Sequence, residues 1–194
     1  MVDDSDTPKK IGPWTRLSTY CKYNNPWIQV NHEKVITPAG SEGIYGKIHF
    51  KSRAIGVIPI DDEGFTWLVG QHRYALDEYS WEIPMGGGEL DHAPLIAAKQ
   101  ELKEETGFSA KNWQQLMKLH TSNSVTDEEA YVFLATDLEA GEQALEATEA
   151  DLIVKRLPFQ DAIDMVVTGQ ITDAISVAGL LFVERSALVP SIKP

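Results

Sequence analysis

One cysteine, Cys21, stands among the 194 residues, so no disulfide can form within the chain. Long hydrophobic runs are missing too: none approaches the ~20 apolar residues that a membrane-spanning helix needs. Basic residues are scarce, 17 Lys+Arg against 29 Asp+Glu, which leaves a formal charge of −12. That balance argues against nonspecific affinity for nucleic acid, whose phosphates recruit basic surfaces. The opening residues, MVDDSDTPKK, lack the basic start and apolar stretch of a secretory signal. A cytoplasmic protein with neither a membrane nor a nucleic-acid partner is expected, and any phosphate it handles must meet local arginines or metal ions. What is present, 43% hydrophobic residues with 24% charged, is enough for a real core in one domain with a small appendage.

Residues 1–12 combine three Asp with Lys9 and Lys10 and show no hydrophobic period, which predicts a mobile tail. Residues 13–50 are rich in aromatic and β-branched types, with turn signals at Asn24-Asn25-Pro26 and Pro38-Ala39-Gly40, and predict three antiparallel strands. The main domain is expected over 51–194. It begins with an apolar run, Ala54–Ile60, a turn at Asp61-Asp62-Glu63-Gly64 and an alternating segment, Phe65–Arg73, which together predict a hairpin. A helix is marked at both ends, by Pro94 in its first turn and by Gly107 as its C-terminal cap. Strands follow at Trp113–Leu119, Ala130–Thr136 and Leu152–Leu157, then helices over Phe159–Thr168 and Thr172–Leu188. This alternation predicts a mixed α/β layer architecture with a β-rich N-terminal subdomain.

The helix after Gly86-Gly87-Gly88 carries the chemistry. At roughly 100° per residue, Glu101, Glu104 and Glu105 fall within a ~100° arc, while Leu95, Ala98 and Leu102 form a separate apolar stripe. The helix can therefore dock by the stripe and present Glu101 and Glu105 along another side. Like charges three and four residues apart repel. A hard divalent cation such as Mg²⁺, which seeks oxygen ligands, would relieve that repulsion. On an ordinary helix three glutamates more often form a solvated face, with Lys99 and Lys103 at hand to dilute the charge.

The surrounding residues alter that balance. Gly86–Phe108 resembles the 23-residue signature of the Nudix hydrolases, Gly-x5-Glu-x7-Arg-Glu-U-x-Glu-Glu-x-Gly-U with U bulky and apolar. Gly86, Glu101, Leu102, Glu104, Glu105, Gly107 and Phe108 match, whereas His92 and Gln100 replace the family's Glu and Arg. The preceding Trp81-Glu82-Ile83-Pro84-Met85-Gly86 resembles the Trp-Glu-x-Pro-Ala-Gly segment of the ADP-ribose and nucleotide-sugar pyrophosphatase branch. Similarity extends to Asn25-Pro26-Trp27 and Gly169–Thr172, so it covers nearly the whole chain.

The resemblance implies an α/β/α sandwich with a mixed sheet and an N-terminal antiparallel β subdomain that exchanges strands to form a homodimer. It implies Mg²⁺-dependent hydrolysis, with Mn²⁺ as the alternative metal, of a nucleoside diphosphate sugar, ADP-ribose or an NDP-hexose, to NMP and a sugar phosphate. Glu101, Glu105 and Glu104, with the Gly86 carbonyl region, are its metal ligands. Gln71-His72-Arg73 resembles the branch's Gln-x-Arg, so Arg73 is expected to grip phosphate bidentately and Glu82 to contact ribose or a metal-bound water. Two acidic loops compete for the general base. Ser124–Glu128 resembles a branch turn that places Glu128 before a core strand. Counting back eight residues from Pro158 gives Ala150, beside Glu149, with Glu146 a further candidate. His92 and Gln100 are expected to hydrogen-bond each other in place of the family's ion pair, and Gln100 also lies within reach of Glu104. Noncatalytic nucleotide-sugar binding, and hydrolysis of dinucleoside polyphosphates or oxidised nucleotides, stand as alternatives.

Overall fold

The computed structural model describes residues 5–145, 150–186 and 188. They divide into two units, one of residues up to Ser52 together with His120–Glu128, the other of Arg53–Leu119 and the residues from Glu129 onward. Among the described residues, no helix is long and apolar enough to cross a membrane.

The first unit is a four-stranded antiparallel sheet in the order β1 (Lys9–Ile11), β2 (Trp14–Asn24), β3 (Ile28–Ile36), β4 (Glu42–Phe50). Between β2 and β3, the Asn25 side-chain oxygen accepts from the Trp27 and Ile28 amides at 2.9 and 2.7 Å, the self-bonding that makes Asn a turn residue. The expected tail contributes structure: Lys9–Ile11 pairs with Trp14–Arg16, and Ser5 exchanges backbone hydrogen bonds with Thr19. Polar composition misleads here because a sheet edge needs backbone partners rather than a buried face.

The second unit holds two sheets. One runs β8 (Met85–Glu89), β5 (Ser52–Pro59), β10 (Glu129–Ala140), β9 (Phe108–His120), with β5 and β10 parallel from Ala54↔Ala130 to Pro59↔Ala135. The other runs β11 (Ile153–Pro158), β6 (Phe65–Arg73), β7 (Glu78–Glu82) and is antiparallel. The expected hairpin of β5 with β6 is therefore corrected. They share only the bridge Ile60↔Thr66 and part into different sheets, because both strands are apolar on both faces and each finds two other neighbours. Strands β7 and β8 lie in a stretch where three glycines and a proline suppress the strand signal.

Side-chain alternation sorts the core into two layers. Ile55 and Val57 of β5, with Phe133 and Ala135 of β10, pack with Ala98 and Leu102 of helix α1 (Pro94–Thr106). Ile58 and Ile60, with Val132 and Leu134, point the other way and pack with residues of α2 (Phe159–Val167) and α3 (Ala174–Arg185). Period-two strands with helices on both faces give the mixed α/β sandwich. Pro94 opens α1, and Gly107 closes it in the left-handed region, at φ 78°, donating its N–H to the Lys103 carbonyl.

Candidate active site

The site in the second unit is built where α1 lies against β8. Gly86 and Gly88 point to the same side of the strand, and neither leaves room for a side chain. A Cβ on Gly86 would lie 2.3 Å from the Glu101 carboxyl carbon, and one on Gly88 would meet Ile55 at 2.9 Å and Ala97 at 3.2 Å. The glycines thus let α1 approach closely enough for its carboxylates to reach the strand backbone. One turn on, Glu105 is 1% exposed, and its Oε2 accepts from the Met85 N–H at 2.8 Å. The expected presentation of Glu105 along an outer face is corrected: α1 is docked on two sides, by its apolar stripe and by Glu105. Glu104 is half-buried and accepts from Gln100 Nε2 at 3.0 Å, the contact anticipated from their four-residue spacing.

The segment linking β7 to β8 is held from three directions. The Val57 N–H donates to the Pro84 carbonyl at 2.8 Å, Glu105 takes the Met85 N–H, and the Ile83 N–H donates to Ser176 Oγ at 3.0 Å. Ser176 is positioned by Asp173, the N-cap of α3, which accepts from both its N–H and its hydroxyl, at 2.7 and 2.8 Å. The Asp173–Ser176 brace was open to sequence reading, since an Asp before an apolar run is a helix-start signal.

On the neighbouring hairpin, Arg73 presents a fork to Glu82: Nε donates to Oε1 at 2.9 Å and Nη2 to Oε2. Glu82 is 5% exposed, so it is a buried partner of Arg73 rather than a rim group. Its hydrogen bond raises the Arg73 pKa against the opposing effect of burial, with further support from the charges of Glu82, Glu105 and Asp173. Arg73 has five N–H donors, and Glu82 engages two of them.

His92 and Gln100 do not take each other as partners. His92 Nδ1 lies 2.9 Å from Glu89 Oε2, while Gln100 turns to Glu104. Arg53 braces that turn by donating to the Glu89 and His92 carbonyls at 3.0 and 3.2 Å. Glu89, Asp91 and His92 form an exposed group whose ligand atoms lie within 4.8 Å of one another. Of the competing loop acids, Glu128 belongs to the first unit, half-buried and accepting from the Thr121 hydroxyl. Glu146 and Glu149 lie outside the described residues.

The first unit contains a cavity of about 350 Å³ lined by Trp14, Arg16, Glu33, Tyr45, Lys47 and the 123–126 segment. Trp14 and Tyr45 meet edge to face, with ring centroids 5.7 Å apart, and Arg16 stands 3.9 Å from Glu33. No sequence signal marks this cavity, because its lining comes from stretches far apart in the chain.

The fit of a divalent cation can be judged from the donors. Glu101 and Glu104 are hard oxygen donors one turn apart, and Gly86 leaves the Glu101 carboxylate directly over the strand backbone. This set suits Mg²⁺ or Mn²⁺, and Glu105 serves the same unit by fixing Met85 beside Gly86.

Comparison with known proteins agrees with this geometry. The family profile described as "NUDIX domain" matches residues 50–172, and that described as "Nucleoside diphosphate sugar hydrolase N-terminal domain" matches residues 14–48. The chain is similar to an "ADP-ribose pyrophosphatase" of Mycobacterium tuberculosis, 37% identical over 67% of this chain and 64% of the relative. Another "ADP-ribose pyrophosphatase", of Bacillus subtilis, is 34% identical over 62% of this chain and 66% of the relative. A "GDP-mannose pyrophosphatase" of Enterobacter sp. (strain 638) is 31% identical over 64% and 63%. The matched region thus spans slightly less than two thirds of each of these relatives. A solved structure described as "Crystal structure of ADP compounds hydrolase" superposes with a TM-score of 0.82 at 22% identity, covering 95% of this chain and all of that one, which establishes the shared fold.

Proposed function

The chain belongs to the Nudix family, and from that membership we propose that it hydrolyses the diphosphate bond of a nucleoside diphosphate sugar, ADP-ribose or an NDP-hexose, to NMP and a sugar phosphate. The observation that carries the reading is the seating of α1 on β8, where Gly86 admits the Glu101 carboxylate and Glu105 fixes the Met85 amide. The N-terminal profile match and the names of the relatives support the nucleotide-sugar class.

In this reading Glu101, Glu105 and Glu104, with the Gly86 backbone, would hold Mg²⁺ or alternatively Mn²⁺, and Glu105 Oε2 also keeps that backbone in place through the Met85 N–H. A divalent cation there supplies positive charge to the diphosphate oxygens and acidifies a bound water. Arg73, clamped by Glu82, offers its uncommitted N–H edge to a phosphate oxygen, so Glu82 acts through Arg73. Water attacks one phosphorus as the bond to the bridging oxygen breaks. The water proton passes to a loop glutamate, Glu128 or Glu149, and the bridging oxygen departs on the other phosphate. We further propose a cytoplasmic homodimer joined through the N-terminal strands. The support is the exposure of large apolar side chains in the first unit, with Trp27 at 68% and Ile44 at 71%.

The test is a panel of ADP-ribose, ADP-glucose, GDP-mannose, UDP-glucose and diadenosine polyphosphates with Mg²⁺, read by phosphatase-coupled release, with Glu101→Gln as control. Release from an NDP-sugar that the control abolishes is the expected result. No turnover with any divalent metal would overturn the proposal and favour nucleotide-sugar binding without hydrolysis.

A further inference from the structure

The connection between β9 and β10 is fastened along β4, the last strand of the first unit's sheet. Thr126 and Ile48 form a parallel bridge, the Ile48 N–H donates to the Val125 carbonyl at 2.9 Å, and the Asp127 N–H donates to the Ile48 carbonyl at 3.2 Å. The Tyr45 hydroxyl donates to the Ser124 carbonyl. Asp127 adds a side-chain knot: Oδ1 accepts from the Phe50 N–H at 3.0 Å, and Oδ2 accepts from Lys47 Nζ at 2.8 Å and lies 2.9 Å from His49 Nδ1.

Within the segment the chain is already turned on itself. The Val125 and Thr126 amides donate to the Ser122 carbonyl, and Thr121 bonds Glu128, so residues 121–128 form a self-bonded unit. Apolar burial does little to hold it, since residues 121–125 are exposed and Val125 is its only large apolar side chain. Polar anchors therefore decide where it rests. Among them Asp127 is the side chain with the most partners, and it is adjacent to Glu128. Burial opposes its ionisation, but the bonds from Lys47, His49 and Phe50 outweigh that effect and hold its carboxyl below the usual range.

We infer that Asp127 is a positioning residue: it pins the 121–128 segment to β4 and thereby sets both the 123–126 wall of the first unit's cavity and the placement of Glu128. The catalytic consequence rests on the proposed hydrolase function, whereas the pin itself does not. Lys47 ties the two together, because it lines the cavity and also bonds Asp127.

The experiment compares wild type, Asp127→Asn, Lys47→Met and the double variant in the full chain. Amide hydrogen exchange over 121–128 is measured alongside steady-state kinetics with Mg²⁺ and the best substrate of the panel. Asp127→Asn is expected to speed exchange of the segment about tenfold, and to lower kcat by a larger factor than it raises KM. The double variant is expected to be no worse than Asp127→Asn, because both changes cut the same knot. Unchanged exchange overturns the pin, and faster exchange with unaltered kcat and KM overturns its role in positioning. A wild type inert on the whole panel overturns the hydrolase reading, while exchange still decides the pin. If Asp127→Asn does not fold, Lys47→Met with His49→Gln makes the same comparison with Asp127 intact.

Discussion

Replacing Gly86 by alanine should separate the two jobs that the glycines of β8 perform. The new Cβ would fall 2.3–2.4 Å from the carboxyl carbon and both oxygens of Glu101, whereas ordinary contact begins near 3.4 Å. The carboxylate must therefore retreat by about 1 Å. It is the far end of a flexible side chain, so the retreat costs little stability, and the entropy that alanine removes from the unfolded chain offsets about 0.4–1 kcal/mol. A displacement of that size at a ligand can cost about 100-fold in rate. Gly88→Ala meets a different obstacle, Ile55 at 2.9 Å and Ala97 at 3.2 Å in the core, where overpacking costs about 1–3 kcal/mol. At about 3 °C per kcal/mol for a chain of this size, that is a fall of roughly 3–9 °C in Tm. The assay pairs thermal unfolding, with and without Mg²⁺, with hydrolysis of the best NDP-sugar. Gly86→Ala should keep its Tm within about 2 °C of wild type, lose the Mg²⁺-dependent shift and lose about 100-fold in kcat/KM. Gly88→Ala should be less stable and lose less activity per folded molecule. If Gly86→Ala is as unstable as Gly88→Ala and retains its response to Mg²⁺, the cradle argument is wrong.

Two further outcomes follow from the ion pairs. Glu82→Gln removes the charge that engages Arg73 from a nearly buried position. Solvent reaches the arginine, so a stability loss of about 1–2 kcal/mol is expected by denaturant titration, together with a higher KM as the guanidinium loses its fixed orientation. An unchanged KM would refute the clamp. The pH dependence of the Asp127 knot has a definite sign. Its folded pKa lies below the ordinary 3.8, so its contribution is complete above that value and is lost as pH falls through the lower, folded one. The stability difference between wild type and Asp127→Asn should be flat from neutral pH down to about 5 and shrink below 4; a difference that vanishes already near pH 6 would contradict it.

Much of the second unit was legible because its signals are local. Pro94 and Gly107 bracket α1 within a residue of the observed ends, and the spacing of Leu95, Ala98 and Leu102 gives its apolar side. Gln100 and Glu104 pair as their spacing suggests. What escaped depends on distant partners. Nothing in Ala54–Ile60 or Phe65–Arg73 tells two doubly buried strands to separate into different sheets. The two-sided docking of Glu105 depends on Met85, twenty residues away, and the Asp127 knot on Lys47, His49 and Phe50, nearly eighty. Charge alone reads as a solvated face, and only tertiary context turns such residues inward.

Under the proposed function, a chain with a net charge of −12 has to bind a diphosphate against its own field. The candidate site offers Arg73, but Glu82 already takes two of its donors, and Glu105 and Asp173 lie close enough to add their negative potential. The same acids that bond and surround Arg73 also cancel much of the field it presents. Under the proposed function, the positive charge needed to hold the substrate must therefore come with the cation that Glu101 and Glu104 suit. Direct binding titrations should then detect an NDP-sugar, or the NMP product, only when Mg²⁺ or Mn²⁺ is present. Added NaCl should matter less than removal of the divalent ion, because screening acts weakly on charges held in partly buried positions. Binding of equal strength in excess EDTA would show that the protein's own cations suffice and that Arg73 is not neutralised as its partners imply.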